Sequence, residues 1–152
     1  MVPAMAKTKI RKGDWVVVCD GRKALIFENV GDEKFLNLQV KEVREHEDPM
    51  THELGTDEPG RVFQSVGTKR SAVEQTDWHA SEQRRFLKAL VRDLEGALAH
   101  KAVERLILVA PPAALGVLRP AYTEVLRRAL AAEIAKDWVR MPVPDIEKRL
   151  AR

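Results

Sequence analysis

The hydrophobic pattern opens with a run in which every position is apolar. From Asp14 to Asp20 the chain reads Asp-Trp-Val-Val-Val-Cys-Asp. β-Branched residues at both phases of a two-residue period predict a strand buried on both faces. Asp20-Gly21 follows, then the strand-like Arg22–Glu28, so the pair predicts a two-residue hairpin turn with positive φ. After a second turn at Val30–Glu33, a third strand is predicted from about Phe35 to Arg44. There Leu36, Leu38 and Val40 alternate with Asn37, Gln39 and Lys41, which leaves one face wet. The first third of the chain thus reads as an antiparallel meander with its third strand near an edge.

The pattern then breaks. Pro49, Gly55, Pro59, Gly60 and Gly67 punctuate residues 47–79, which predict a long loop. Its one strand-like fragment is Arg61–Val66. Thr76 or Asp77 is the predicted cap of a helix from Trp78 to His100. That helix carries an apolar stripe of Phe86, Leu87, Leu90, Val91, Leu94, Ala97 and Leu98, with Arg84, Arg85, Lys88 and Arg92 outside it. Arg105–Ala110 is again apolar at both phases. Pro112 and Pro120 are each placed to start a helix, the second reaching about Ala135. A short strand at Asp137–Arg140 and a last helix from Pro144 complete the order.

Three strands, a loop and then alternating helices and strands predict an α/β domain with helices on a mixed sheet. A right-handed crossover sets the Arg105–Ala110 strand parallel beside the first, giving the order 3-2-1-4-5, an RNase H-like three-layer arrangement with five strands. Residues 1–13 read as an N-terminal tail and 14–152 as one domain with a long loop at 47–79.

Composition narrows the function classes. The 152 residues carry a net charge of +3. Residues 47–79 hold a net of −4 and residues 80–152 a net of +5, a mixed surface rather than one basic face. The apolar runs Trp15–Cys19 and Leu106–Leu115 are too short to span a membrane, and the first residues lack the apolar core of a signal peptide. A single cysteine, Cys19, predicts a reducing, cytoplasmic setting and a buried structural thiol.

Catalytic constellations are sparse. Two-metal chemistry needs carboxylates converging from neighbouring strand ends. Asp20 and Glu28 close the first two strands, but the central strand ends Val109-Ala110-Pro111-Pro112. Turn chemistry accounts for Asp20, which stays a candidate polar site; together with the loop's histidines or carboxylates it carries the alternative of a hydrolase. His46, Glu47, Asp48, His52 and Glu53 are rich in ligand atoms but match no metal-ligand spacing, so no metal is assigned. No phosphate-binding or dinucleotide fingerprint occurs, and no cofactor is predicted. Gly60-Arg61 and Gly67–Arg70 offer amides and cations to an anion.

Several stretches resemble one bacterial family. Trp15–Phe27, Gly60-Arg-Val-Phe-Gln-Ser65, Asp77–Phe86, Leu108–Arg119 and the Lys136-Asp137 step are similar, in order, to the host attachment proteins. The resemblance covers about Asp14 to Leu150 and implies a role in attachment to host cells, a phenotype rather than a molecular activity. More distantly, the architecture resembles the middle domain of archaeal and eukaryotic class-1 release factors. Their long loop carries Gly-Gly-Gln, which is found nowhere here, so peptidyl-tRNA hydrolysis is not carried over. The expectation is a non-enzymatic partner-binding protein. It uses Gly60, Arg61, Gln64, Gly67, Lys69, Arg70, Arg84 and Arg85 toward a protein partner or, alternatively, the ribosome or RNA.

Overall fold

A computed structural model describes residues 9–46 and 63–151, with side chains described for 9–46 and 78–151. The elements are β1 (Trp15–Cys19), β2 (Lys23–Asn29), β3 (Leu38–Glu45), α1 (Phe63–Ala99), β4 (Leu106–Val109), α2 (Pro112–Ala121), α3 (Glu124–Ala129), β5 (Leu130–Ile134) and α4 (Val143–Ala151). The sheet order is β3-β2-β1-β4-β5, as the pattern predicts. β1 runs antiparallel to β2 and parallel to β4, with Val16 beside Phe27 on one side and Ile107 on the other.

The doubly apolar runs go where their composition sends them. Every residue of β1 and β4 is buried. Trp15, Val17, Cys19, Leu106 and Leu108 face α1, α2 and α3, meeting Leu87, Leu90, Leu94, Leu115, Leu118 and Leu126. Val16, Val18, Ile107 and Val109 face the other way, onto Ile10, Trp138, Val139 and Ile146 of α4. A layer on each face satisfies a parallel pair that neither face could leave wet.

Four expectations need correction. First, residues 63–79 are not loop: α1 starts at Phe63, so Arg61–Val66 is no strand from residue 63 on, and Thr76 and Asp77 lie inside the helix. No proline occurs between Pro59 and Pro111, and Gly67, the one glycine of residues 63–79, costs about 1 kcal/mol, too little to break a helix anchored by a long apolar stripe. Residues 47–62, including His52 and Glu53 of the ligand-rich run, lie outside the described residues. Second, β3 begins at Leu38 because polar side chains claim the amides before it. Asn29 Oδ1 accepts from Gly31 and Asn37, and Asp32 Oδ1 from Lys34 and Phe35. The register shifts opposite Ile26 and Phe27, so the alternation fails there; Val40 and Val43 are both more than half exposed.

Third, the Asp20-Gly21 turn needs no positive φ, since Gly13 is the one glycine among the described residues with that conformation. The Asp20 carboxylate accepts from the amides of Arg22 and Lys23, both at 2.8 Å, and closes the turn itself. Fourth, the fifth strand is Leu130–Ile134, not Asp137–Arg140. Pro120 lies inside α2, and Thr123 caps a separate short helix through its hydroxyl. Helix propensity in the Ala-rich segment yields to the open edge of β4, where Ala110 N–H donates to Ile134 at 3.0 Å. Trp138 and Val139 are buried without pairing.

Helix α1 ends on a Schellman turn. Ala102 N–H reaches Ala97 O, Lys101 N–H reaches Leu98 O, and Lys101 adopts φ +61°. No helix among the described residues is long and apolar enough to cross a membrane.

Candidate functional site

The ends of β1 and β4 lie side by side, because the strands are parallel and paired from Trp15 with Leu106 to Val18 with Val109. Ligands of open α/β sheets bind at such carboxyl ends. Here the end is framed by the Asp20–Lys23 turn, by the Ala110-Pro111-Pro112 step into α2, and by the middle of α1. Between them opens a cleft of about 180 Å³, lined by Gly21, Ala80, Gln83, Arg84, Leu87, Pro111, Ala113, Ala114 and Val117. Pro112 at the helix start lacks an N–H and needs no partner there, so the chain turns from strand to helix beside the opening.

Gly21 favours close approach rather than a special φ. A Cβ there would stand 3.0 Å from Gln83 Cγ and Cδ, so a side chain at this position would push Gln83 aside by a few tenths of an ångström at the cleft. Gln83 and Arg84 bring the cleft its long polar side chains; the remaining lining residues are apolar or glycine.

Beside the cleft, His46 directly follows the last residue of β3. Its N–H donates to Arg22 O at 2.6 Å, and its ring centroid lies 6.0 Å from that of Phe86. His46 Nε2 stands 3.7 Å from Glu82, whose other oxygen meets Arg85 at 3.2 Å. Among the described residues no group of three or more His, Cys, Asp or Glu is placed to hold a metal ion.

The remaining reactive groups near this end are committed to structure. Asp20 is occupied by its turn. Burial, reinforced by Asp20, pushes the Cys19 thiol up to about 12. Glu133, buried on β5, accepts from Arg119 Nε at 3.0 Å and from Tyr122 Oη at 2.8 Å. Burial first, and then the bond to Glu133, raises the Tyr122 phenol above its ordinary value. This triad fastens the end of α2 to the edge strand. No sequence motif marked it, since Glu133 sat in a stretch read as helix.

The sequence-nominated residues do not gather into one loop. Gly60 and Arg61 lie outside the described residues, whereas Gln64, Gly67, Lys69, Arg70, Arg84 and Arg85 share helix α1. At 1.5 Å per residue, the step from position 70 to 84 is roughly 21 Å, so the two groups are separate stations on one rod. Arg84 lines the cleft, Arg85 is paired with Glu82, and Asp20 sits in the adjoining turn. Gln83, Ala113 and Val117 were missed, because small and amide side chains in no motif carry no signal until folding joins them.

A family model described as "Protein required for attachment to host cells" matches residues 15–150. The chain belongs to this host attachment family. The match runs from the first residue of β1 into α4 and so takes in the whole sheet and the cleft of this host attachment protein. No curated protein matches it.

Proposed function

We propose that this host attachment protein acts by binding a partner, and that the cleft at the carboxyl ends of β1 and β4, with the exposed side of α1, is its binding surface. The observation that carries the reading is the make-up of the cleft. Its walls are apolar, its long polar side chains are Gln83 and Arg84, and the neighbouring carboxylate and thiol, Asp20 and Cys19, are tied up in a turn and in the core. Such a lining grips an apolar partner, and none of the residues that form it is a nucleophile or a general base. α1 adds length: 37 residues at 1.5 Å each give roughly 55 Å of helix, against roughly 26 Å for the eight-residue strand β3. A reducing, cytoplasmic location fits the lone buried thiol.

The test is attachment by cells whose own copy carries Ala113→Trp, which fills the cleft from an exposed position. Phe35→Ala, an exposed ring in the β2–β3 turn at the far end of the sheet, is the control. The reading expects attachment to fall for Ala113→Trp at unchanged protein level, with the control unaffected. Normal attachment by the Ala113→Trp cells would refute it.

A further inference from the structure

Resting on that reading, we propose that the cleft and the row of cations beside it dock an acidic amphipathic helix of a protein partner.

The row is Arg84, Lys88 and Arg92, four residues apart along α1 and all exposed. Successive members are separated by roughly 6 Å along the axis, so the row runs roughly 12 Å from the cleft rim. None of the three makes an ion pair with another described residue, although the acids to pair with are close by. Arg85 is taken by Glu82, and Asp93 is taken by Arg44 of β3. Among the described side chains of the helix, these neighbours are therefore paired while Arg84, Lys88 and Arg92 form an evenly spaced cationic edge. Acidic residues on an apposed helix repeat at the same four-residue interval, so several pairs can form at once.

The surface next to that row is apolar and low. Pro112, Ala113 and Gly116 are exposed on α2, with Val117 half-buried, and the cleft opens between them and α1. Small side chains let a backbone approach closely. At about 180 Å³ the cleft lies below the 300–1,000 Å³ typical of small-molecule sites. It suits one or two apolar side chains projecting from a larger partner, as a helix laid in a groove presents them. A nucleic acid is less well served. Single strands are held by aromatic rings on which bases stack, whereas the one exposed aromatic among the described residues, Phe35, lies at the opposite end of the sheet.

The experiment titrates the full chain with two synthetic stapled helices of about four turns, both bearing leucines at i, i+3, i+4 and i+7. One carries glutamates at four-residue intervals on its flank and the other lysines. Backbone amide NMR shifts locate the contact. The Glu helix should bind, with shifts concentrated at residues 80–92 and 112–117, and the Lys helix should not. Ala113→Trp should weaken binding about tenfold or more, as filling a central pocket does. The triple variant Arg84→Glu, Lys88→Glu, Arg92→Glu should exchange the preference, taking the Lys helix and rejecting the Glu helix.

The proposal is overturned if the Glu helix fails to bind, if both helices bind alike, or if neither set of substitutions matters. It is equally overturned if single-stranded RNA shifts the Arg84–Arg92 row while the Glu helix does not. The two readings separate in combination with the attachment assay. Lost attachment in Ala113→Trp with no peptide binding removes the acidic helix and leaves the partner site. Peptide binding with intact attachment supports the docking chemistry and removes its role in attachment.

Discussion

Replacing Asn29 with alanine tests how one buried side chain organises the β2–β3 connection. Asn29 is fully buried. Its Oδ1 accepts from Gly31 N–H at 3.0 Å and from Asn37 N–H at 2.9 Å. Its Nδ2 donates more weakly to the carbonyls of Ile10, Arg11 and Asp32, at 3.2 to 3.4 Å. Alanine keeps the backbone pairing with Asp14 and Gly13 but removes every one of these side-chain bonds. Two amides then lose their acceptor in a partly buried setting, at about 1–3 kcal/mol each. The long donor contacts add little, because a carbonyl retains a second lone pair, so the loss should be about 3 kcal/mol. Against a total of roughly 5–15 kcal/mol that is a large shift in the urea midpoint. Asn37→Ala, at an exposed site whose side chain makes no such network, is the matched control and should cost under about 0.5 kcal/mol. Urea melts followed by tryptophan fluorescence read both. A loss below about 1 kcal/mol for Asn29→Ala, or equal losses for the two variants, would refute the assignment.

Other predictions follow from single residues. Cys19, pushed up to about 12, should resist iodoacetamide at pH 8 in the folded protein and react once urea unfolds it; alkylation of the native state at the unfolded rate would contradict this. Tyr122 is the chain's one tyrosine, so its titration is directly visible as phenolate absorbance. Because its folded value is raised, the phenol should remain protonated through pH 10, and its contribution to stability should be complete below pH 10 and lost as pH climbs further, since the unfolded chain ionises first. Glu133→Gln should lower the onset. Lys101 occupies a left-handed C′ position that glycine fills without strain, so Lys101→Gly should raise stability by about 0.5–1 kcal/mol in the same urea assay; a decrease would mean that the lysine side chain matters more than its backbone.

What the sequence disclosed depended on how local the cause was. Strands β1 and β4 were legible because Val-Val-Val and Leu-Ile-Leu-Val admit no solvent-facing phase, and their pairing follows from crossover handedness. The start of α1 was not. Gly67 and the prolines up to Pro59 look like loop punctuation, yet the next proline comes only at Pro111, and the helix runs back to Phe63. The fifth strand was illegible for a different reason. Leu-Ala-Ala-Glu-Ile reads locally as helix, and it pairs only because β4 presents an open edge. The site divides the same way. Arg84 and Arg85 stood out as charges beside an apolar stripe, whereas Ala113 and Val117 acquire meaning from facing Ala80 and Leu87 across a cleft.

The central claim is that a partner sits on the α1–α2 cleft, and site-specific photocrosslinking in the producing cells addresses it most directly. A benzophenone amino acid replaces Ala113 at the cleft or Phe35 at the far end of the sheet. The account predicts one discrete crosslinked adduct from position 113. That adduct should disappear in the Arg84→Glu, Lys88→Glu, Arg92→Glu background, and position 35 should give none. Equal crosslinking from both positions, or an adduct at 113 that persists after the charge reversal, would contradict it.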